Sequence, residues 1–313
     1  MHTTFIKRSW HQSTTYISSK FNGNGWPYIP GDTASVEATS WCAIALAHLS
    51  SAAKAAASFL IDKQNADGGW ANAPAPDLSD WSTGPALLAL RLIENNLPGA
   101  LQTRAKRAFE DGTAFLLGSR TDFYVTFPAK VMVWLLTGGT GLDYARGWPW
   151  TPGCYHWVEP TGYTLMALKP SAQAQREDVR HALVKAEEFL FEHACAGGGW
   201  NYGENVSFSV KMPPKPVTTA VALAALQDRV DHQELTQQSL AYLESAAAKT
   251  DAVMTLSWCI LALDVAGRQT EKICKNLVQR QQPDGGFGNN LLLTALASCA
   301  LSAALGKNPL KFA

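Results

Sequence analysis

The sequence has no excess of charge of either sign and no cluster of basic residues. Its 26 lysines and arginines balance 26 aspartates and glutamates over 313 residues. Proteins that bind nucleic acid gain much of their affinity from lysine and arginine side chains that neutralise phosphates. The balanced charge therefore argues against a nucleic-acid partner.

Long apolar runs and paired cysteines are also missing. No stretch of about 20 apolar residues occurs, so the sequence predicts no transmembrane segment, while peripheral contact with a membrane stays open. Residues 1–10 lack the apolar core of a signal peptide. The six cysteines are scattered, and three of them, Cys42, Cys259 and Cys299, fall within apolar segments, as reduced core cysteines do. These features predict a cytoplasmic protein.

Several signatures of other folds and chemistries are absent as well. The sequence has no phosphate-binding glycine loop and no Gly-x-Ser-x-Gly elbow around a nucleophilic serine. Alternation of the strand kind is confined to residues 206–210. We therefore predict an all-α protein that works without a cofactor.

What the sequence does contain is a repeated turn. Residues 54–70 read KAAASFLIDKQNADGGW, with a Phe-Leu pair, a glutamine and a closing Gly-Gly-Trp. Residues 185–200 repeat this pattern with Ala194 in place of the glutamine, and residues 281–287 repeat its second half. Two further sites keep only the closing dipeptide: Gly25-Trp26 and Gly147-Trp148. A unit repeated in this way buries its apolar face only against its neighbours.

A threonine recurs in the apolar segments that follow these turns, each time seven residues before a leucine. The five threonines are Thr39, Thr83, Thr161, Thr219 and Thr294. Seven residues make about two helical turns, so each threonine shares a stripe with its leucine. We expect these threonines to bond back to a preceding carbonyl and to serve the architecture. Polar helices are predicted between these apolar ones, at residues 102–117, 172–193 and 233–249.

The repeated turn resembles the QW repeat of squalene and oxidosqualene cyclases, whose toroid is shared by protein prenyltransferase β subunits. The resemblance implies a single α/α toroid domain over residues 1–313, in which outer helices surround six or seven inner helices. One of the inner helices, of degenerate sequence, is expected at residues 123–136. Squalene cyclases carry two such domains, so this chain corresponds to about half of one.

The resemblance also implies where chemistry takes place. In such a ring, the loops before the inner helices open on one face above a central cavity. Four acids at this position are candidate catalytic residues: Glu37, Asp77, Asp80 and Glu159. Acids at helix starts also serve as caps and complement the helix dipole, and this alternative stays open.

Residues 76–80 stand where the cyclases have their Asp-x-Asp-Asp motif, whose middle carboxyl is the general acid of that family. The middle position here is Ser79, and a serine hydroxyl is far too weak an acid to protonate an alkene. Either Asp77 with Asp80, or Glu37 with Glu159, supplies the proton, or the reaction is of another kind.

Among these acids the sequence favours Glu159. Trp157 precedes it and Tyr163 follows one turn later on the same stripe, while Pro160 fits the first turn of a helix. Burial against aromatic rings raises the pKa of a carboxyl, as a general acid requires, whereas the positive end of the helix lowers it. The sequence thus predicts a helix start at Glu159 next to the cavity.

Aromatic residues are plentiful, with 11 Trp, 12 Phe and 8 Tyr. An aromatic ring face stabilises a cation by about 0.5–2 kcal/mol, which would suit the carbocations of a polyprenyl chain. Tryptophans also fill gaps between helices, so a structural role is the alternative. The predicted substrate-binding residues are Trp41, Trp81, Trp134, Trp157, Tyr163 and Trp258.

The function predicted from this resemblance is that of a terpene cyclase, an isomerase or lyase, acting on a hydrophobic isoprenoid. Two alternatives stay open: a non-catalytic toroid that binds a hydrophobic ligand or a protein, and a prenyltransferase-like enzyme. The prenyltransferase branch holds zinc with Asp, Cys and His. Cys154 and His156, with Glu159 near them, are the nearest candidates here, but their spacing is not that of the branch, so no metal is predicted.

Overall fold

Helices carry the fold in this computed structural model, which describes residues 2–72, 78–120, 131–132, 134–135, 146–207 and 209–312. Within them the α-helices are α1 (His2–Ser19), α2 (Val36–Ala45), α3 (Ser50–Asp62), α4 (Thr83–Ile93), α5 (Gly99–Ser119), α6 (Val158–Leu168), α7 (Glu177–Glu192), α8 (Pro216–Ala225), α9 (Gln233–Ala247), α10 (Val253–Val265), α11 (Glu271–Val278) and α12 (Leu291–Ala304). Short 3-10 helices span Glu94–Asn96 and Ala172–Gln175.

The strands of the described residues are only two residues long. Strand β1 (Trp148–Pro149) pairs antiparallel with β2 (His156–Trp157), and β3 (Val206–Ser207) pairs in the same sense with β4 (Val210–Lys211). The first pair leads into α6, and the second precedes α8. The all-α class predicted from the sequence is confirmed.

The even-numbered helices form a closed inner ring. Each of α2, α4, α6, α8 and α10 packs against the next member, and α12 packs back against α2. The odd-numbered helices α1, α3, α5, α7, α9 and α11 lie outside and pack on these inner helices. The predicted α/α toroid is therefore confirmed, with six inner helices in the part of the chain described. Most of the further helix predicted at residues 123–136 lies outside the described residues.

The inner helices are buried on nearly every side, which is why their sequences show no polar face. Small residues set the spacing between neighbours. At Gly162 of α6, a β-carbon would lie 2.5 Å from Cγ1 of Val221 on α8. A side chain at this position would push the two helices apart, so the glycine permits their close approach.

The tryptophan that closes each turn is fixed by its indole N–H. Trp70 is completely buried, and its Nε1 donates a hydrogen bond of 2.7 Å to the carbonyl of Leu60 in the preceding outer helix. The same bond, at 2.6–2.8 Å, is made by Trp26 to Ile17, Trp148 to Leu116 and Trp200 to Leu190. Each tryptophan thus satisfies one of the carbonyls that a helix leaves unpaired at its C-terminal end.

The threonine stripe has a different bond from the one expected. In each copy the threonine Oγ1 accepts the backbone N–H of the aromatic residue that closes the turn, at 2.8–3.0 Å. The five pairs are Trp26 with Thr39, Trp70 with Thr83, Trp148 with Thr161, Trp200 with Thr219, and Phe287 with Thr294. Only Thr294 also donates to a carbonyl one helical turn earlier, that of Asn290 at 2.7 Å, whereas the other four donate to the carbonyl of the closing tryptophan at 3.2–3.4 Å. The stripe therefore anchors each turn to the inner helix that follows.

The residue two positions after the closing aromatic joins the turn to the preceding inner helix. The carbonyl of Trp150 accepts the N–H of Trp81 just before α4, at 3.0 Å. The carbonyls of Tyr28 and Tyr202 accept from Leu291 in α12 and Val158 in α6 at 2.7 and 2.8 Å, and Asn72 accepts from Glu37 through its side chain at 3.0 Å. These bonds satisfy backbone donors at helix starts.

Where the repeat has its glutamine, that residue joins the turn to another outer helix. Gln64 Nε2 donates to the carbonyls of Gly68 and Ala108, at 2.7 and 2.8 Å. The turn packs so tightly there that a β-carbon on Gly68, whose φ is +87°, would lie 2.5 Å from the carbonyl oxygen of Asp111. Only glycine combines this backbone conformation with this contact.

The C-terminal segment crosses the opposite end of the ring from the turns. Asn308 Nδ2 donates to the carbonyl of Leu261 at 2.9 Å, and the N–H of Phe312 donates to Gln227 Oε1 at 2.9 Å. The ammonium of Lys169 lies 5.6 Å from the centre of the Phe312 ring. The segment thus covers the C-terminal ends of the inner helices.

None of the described helices has the length and apolar character that crossing a membrane requires.

Removal of the threonine anchor is expected to destabilise the ring. In Thr219→Val the buried N–H of Trp200 loses its acceptor, so the free energy of unfolding should fall by about 1–3 kcal/mol. Urea unfolding followed by circular dichroism measures the change. Ser257→Ala is the matched control, because its buried hydroxyl has no hydrogen-bond partner among the described atoms. Equal stability of the Thr219→Val variant and the control would contradict the anchoring role.

Candidate active site

A cavity of about 260 Å³ opens at the N-terminal ends of the inner helices. Two carboxyl groups line it, those of Glu37 and Glu159, with the aliphatic side chains of Val217, Met254 and Leu296. Its remaining lining is aromatic, from Trp41, Trp81, Trp150, Tyr163 and Trp258. The two acids and four of the aromatic residues are among those predicted from the sequence, and the structure brings them together.

Three aromatic rings from alternate inner helices form the floor of this cavity. The ring centre of Trp41 lies 5.4 Å from that of Trp258 and 6.3 Å from that of Tyr163, and these last two lie 6.0 Å apart. All three residues are buried. They stand one turn below Glu37, Glu159 and Met254 on their helices. The acids therefore lie at the mouth, directly above the aromatic floor.

Trp81 and Trp150 form the wall beside α4. Their ring centres lie 4.8 Å apart in an edge-to-face arrangement, and Trp81 is 6.2 Å from Tyr163. Trp150 was not predicted from the sequence. It stands two residues after the closing Trp148, the frame position that also holds Tyr28 and Asn72. That position in the repeat would have identified all three residues.

Glu37 belongs to a closed cycle of hydrogen bonds. Its carboxylate oxygen Oε2 accepts a short hydrogen bond from the hydroxyl of Tyr28. The Tyr28 oxygen in turn accepts from Asn72 Nδ2 at 2.7 Å, and Asn72 Oδ1 accepts the backbone N–H of Glu37 at 3.0 Å. Asn72 therefore holds both the main chain of Glu37 and, through Tyr28, its carboxyl group.

The environment of Glu37 favours its protonated form at neutral pH. Burial raises the pKa of Glu37 to about 7, and the charges of Glu159 and Asp80 contribute to the rise. The hydrogen bond from Tyr28 opposes it, because it stabilises the ionised form. A carboxyl with a pKa of about 7 beside an apolar cavity holds its proton in a large fraction of molecules near neutral pH, as a general acid requires.

Glu159 lies in the first turn of α6, as its sequence position predicts, and its carboxyl has a single described partner. The hydroxyl of Thr218 on α8 donates to Oε1 of Glu159 at 2.7 Å. Burial raises the pKa of Glu159, and the bond from Thr218 lowers it. Burial also raises the pKa of Tyr163 well above its ordinary value, with the charges of Glu159 and Glu37 adding to the rise. The phenol below the two acids therefore stays neutral.

Asp80 has a structural role in the loop ahead of α4, whose N-cap is Ser82. Its two carboxylate oxygens accept backbone N–H groups, Oδ2 from Asn72 at 3.1 Å and Oδ1 from Ser82 at 2.8 Å. Ser79 is buried outside the cavity, and its hydroxyl donates to Asp67 Oδ1 at 2.6 Å. Ser79 and Asp80, which stand in place of part of the cyclase acid motif, therefore support the turn. Asp77 lies outside the described residues.

Two of the predicted substrate-binding residues do not line the cavity. Trp157 lies in β2, ahead of α6, and its ring centre is 6.3 Å from that of Tyr202. An extended residue before a helix does not share the stripe of that helix, so its nearness to Glu159 in sequence was misleading. Trp134 is 52% exposed.

The candidate zinc ligands have other surroundings. Cys154 is exposed, and Nδ1 of His156 accepts the backbone N–H of Gly147 at 3.2 Å. Burial lowers the pKa of His156 to about 4. Among the residues described, no group of three His, Cys, Asp or Glu side chains is arranged to hold a metal ion.

Solved structures with the same fold include terpene cyclases. A variant of the type II terpene cyclase MstE from Scytonema, in complex with geranylgeranyl dihydroxybenzoate, matches with a TM-score of 0.65 at 13% identity, over 98% of this chain and 99% of that one. A protein from Actinoplanes matches with a TM-score of 0.60 at 17% identity, over 96% and 99%. A glycosidase variant matches with a TM-score of 0.62 at 10% identity, over 97% and 98%.

These similarities extend over nearly the whole chain, and they confirm the toroid that the QW-like turns predicted. At such low identities they show likeness of fold alone. No protein-family model matches the chain, and no curated protein matches its sequence. Function is therefore inferred from the geometry of the cavity.

The raised pKa of Glu37 predicts a pH-dependent contribution to stability. Because the pKa in the folded state, about 7, exceeds the ordinary value of 4.5, the contribution is fully present below pH 4.5 and is lost as the pH rises through 7. Wild type should therefore lose about 2–3 kcal/mol of unfolding free energy relative to Glu37→Gln between pH 5 and pH 8. Thermal melts at both pH values test this. Glu110→Gln, on the exposed face of α5, is the control for loss of a carboxyl away from the cavity.

The cycle of hydrogen bonds makes a separate prediction about Tyr28. Tyr28→Phe removes the donor that stabilises the ionised carboxylate, so the pKa of Glu37 should rise above its wild-type value of about 7. Infrared titration of the protonated carboxyl band, assigned by its loss in Glu37→Gln, measures the shift. Tyr202→Phe, at the same repeat position beside Trp157, is the matched control. An unchanged or lowered pKa in Tyr28→Phe would contradict the hydrogen bond.

Proposed function

We propose that this protein is a type II terpene cyclase-like isomerase, which protonates a hydrophobic isoprenoid inside the ring. One observation carries the proposal: a partly buried carboxyl with a raised pKa, Glu37, faces an apolar cavity lined by five aromatic rings. Protonation of an alkene needs an acid that holds its proton at working pH and a site that stabilises the cation formed. The cavity has both features.

Glu37 is the proton donor in this proposal, although sequence reasoning alone put Glu159 first. The O–H bond of Glu37 breaks, a C–H bond forms at one alkene carbon, and the other carbon becomes a cation. Tyr28 donates to the carboxylate that remains, and Asn72 donates to the Tyr28 oxygen in turn. These two donors stabilise Glu37 in its ionised form and so strengthen it as an acid at the moment of transfer.

The aromatic lining would stabilise the cation once it has formed. The ring centres of Trp41 and Trp81 lie 6.3 and 6.2 Å from that of Tyr163, beside and below the acids. A ring face contributes about 0.5–2 kcal/mol to the binding of a cation, and more where water is excluded. Several faces around one cavity would guide the positive charge along the bound chain.

The aliphatic residues of the cavity favour a hydrocarbon over a sugar. Paired carboxyls beside aromatic rings also occur in glycosidases, and a glycosidase shares this fold. Sugar binding, however, depends on polar groups that pair with hydroxyls. Val217, Met254 and Leu296 present none. The terpene cyclase with the same fold binds a geranylgeranyl compound, and we propose an isoprenoid chain as the ligand here as well.

The test is conversion of neutral polyprenyl probes, farnesyl acetate and geranylgeranyl acetate, followed by gas chromatography and mass spectrometry. Wild type should convert at least one probe into a cyclic isomer of the same mass. Glu37→Gln keeps the shape and removes the proton, so the rate should fall by about 100-fold or more. Glu110→Gln is the control, and its rate should match wild type. Turnover retained by Glu37→Gln, or binding of the probes without conversion by wild type, would contradict the proposal and favour another donor or a non-catalytic toroid.

A further inference from the structure

The two carboxyls of the cavity lie on either side of one inner helix. Glu37 is on α2 and Glu159 on α6, and α4 packs between these two helices. Trp81, just ahead of α4, lines the cavity between them and lies 6.2 Å from Tyr163. A substrate bound over these rings would have an acidic group at each side.

The surroundings of the two carboxyls differ, and the difference separates their roles. Glu37 has two acidic neighbours, Glu159 and Asp80, whose charges favour its protonated form. Both carboxyls accept a hydroxyl hydrogen bond, Glu37 from Tyr28 and Glu159 from Thr218 at 2.7 Å, and burial raises the pKa of both. The acidic charges add to this rise at Glu37, so Glu37 is the better placed of the two to hold a proton and Glu159 to accept one.

From this arrangement we infer that Glu159 is the base that ends the reaction, removing a proton from the last carbocation so that the product is an olefin. This inference rests on the proposed function and goes beyond it, because it assigns a second catalytic residue and the class of product. It also gives Thr218 a role, as the residue that positions the carboxylate.

The step balances without another reactant. A C–H bond next to the cationic carbon breaks, its electron pair forms the new double bond, and the proton moves to an oxygen of Glu159. Glu37 is then ionised and Glu159 protonated, so the substrate has been isomerised with no net gain of atoms. The proton returns from Glu159 to Glu37 through water at the open mouth once the product has left.

The position of Glu159 suits this step better than capture of the cation by water. Tyr163 is one turn below Glu159 on α6, so a cation above the phenol ring lies next to the carboxylate. Val217, beside Thr218 on α8, presents an aliphatic surface on the same side. Attraction between cation and carboxylate is strong in a site that excludes water.

The experiment compares Glu159→Gln with wild type on geranylgeranyl acetate, in D₂O and in ¹⁸O-labelled water. Wild type should give an olefin with one deuterium from the protonation step. Glu159→Gln should still consume the probe, losing less than the ~100-fold expected for loss of the proton donor, but its products should shift to ¹⁸O-labelled alcohols or to a mixture of olefins. Thr218→Val should move the products in the same direction, and Thr218→Ser, which keeps the hydroxyl, should restore the wild-type product.

Two results would overturn the inference: an unchanged olefin profile in Glu159→Gln, or loss of consumption as complete as in Glu37→Gln. Infrared titration of the substrate-free protein at pH 6, with each variant used to assign its band, decides the proton order independently. A protonated Glu37 and an ionised Glu159 support the assignment, and the reverse order contradicts it. Failure of wild type to convert any probe would instead count against the proposed function, whatever the titration shows.

Discussion

The structure depends on the attachment of its turns to inner helices, and four of the five turns are attached to two of them. The backbone N–H of the closing aromatic residue is held by a threonine at the start of the following inner helix, as Trp70 is held by Thr83. The residue two positions later accepts a backbone N–H from the start of the preceding inner helix, as Asn72 does from Glu37. Donors left unpaired at helix starts thus join neighbouring members of the ring, and they also fix the mouth of the cavity.

This attachment also explains how architecture and chemistry share one position in the repeat. The residue two places after the closing aromatic has to reach the adjacent helix start, and the cavity lies there. Trp150 does so with its carbonyl, which leaves its ring free to form a wall of the cavity. Tyr28 does the same and places its hydroxyl on Glu37, so a structural contact also tunes the proposed acid.

The sequence predicted the features that recur in each repeat and missed the contacts between one repeat and another. The turns, the threonine stripe and the matched positions of Glu37 and Glu159 follow from a constant frame, and these predictions led to the toroid and to both cavity acids. The contact between Asn72 and Tyr28 spans 44 residues and exists only because the ring brings two turns together. The bond from the Ser82 N–H to Asp80 is local, but an acid with this role and an acid that lines the cavity look alike in the sequence.

The cavity resolves two opposing requirements on an acid that protonates an alkene. Desolvation raises the pKa of Glu37 towards neutrality, but it also makes the carboxylate costly once the proton has left. The hydroxyl of Tyr28, itself polarised by Asn72, lowers that cost without supplying a charge that would remove the proton beforehand. A cation such as arginine in this place would depress the pKa and leave Glu37 ionised in the resting state. A neutral donor therefore allows Glu37 both to hold its proton and to release it. Tyr28, at a fixed position of the repeat, is that donor.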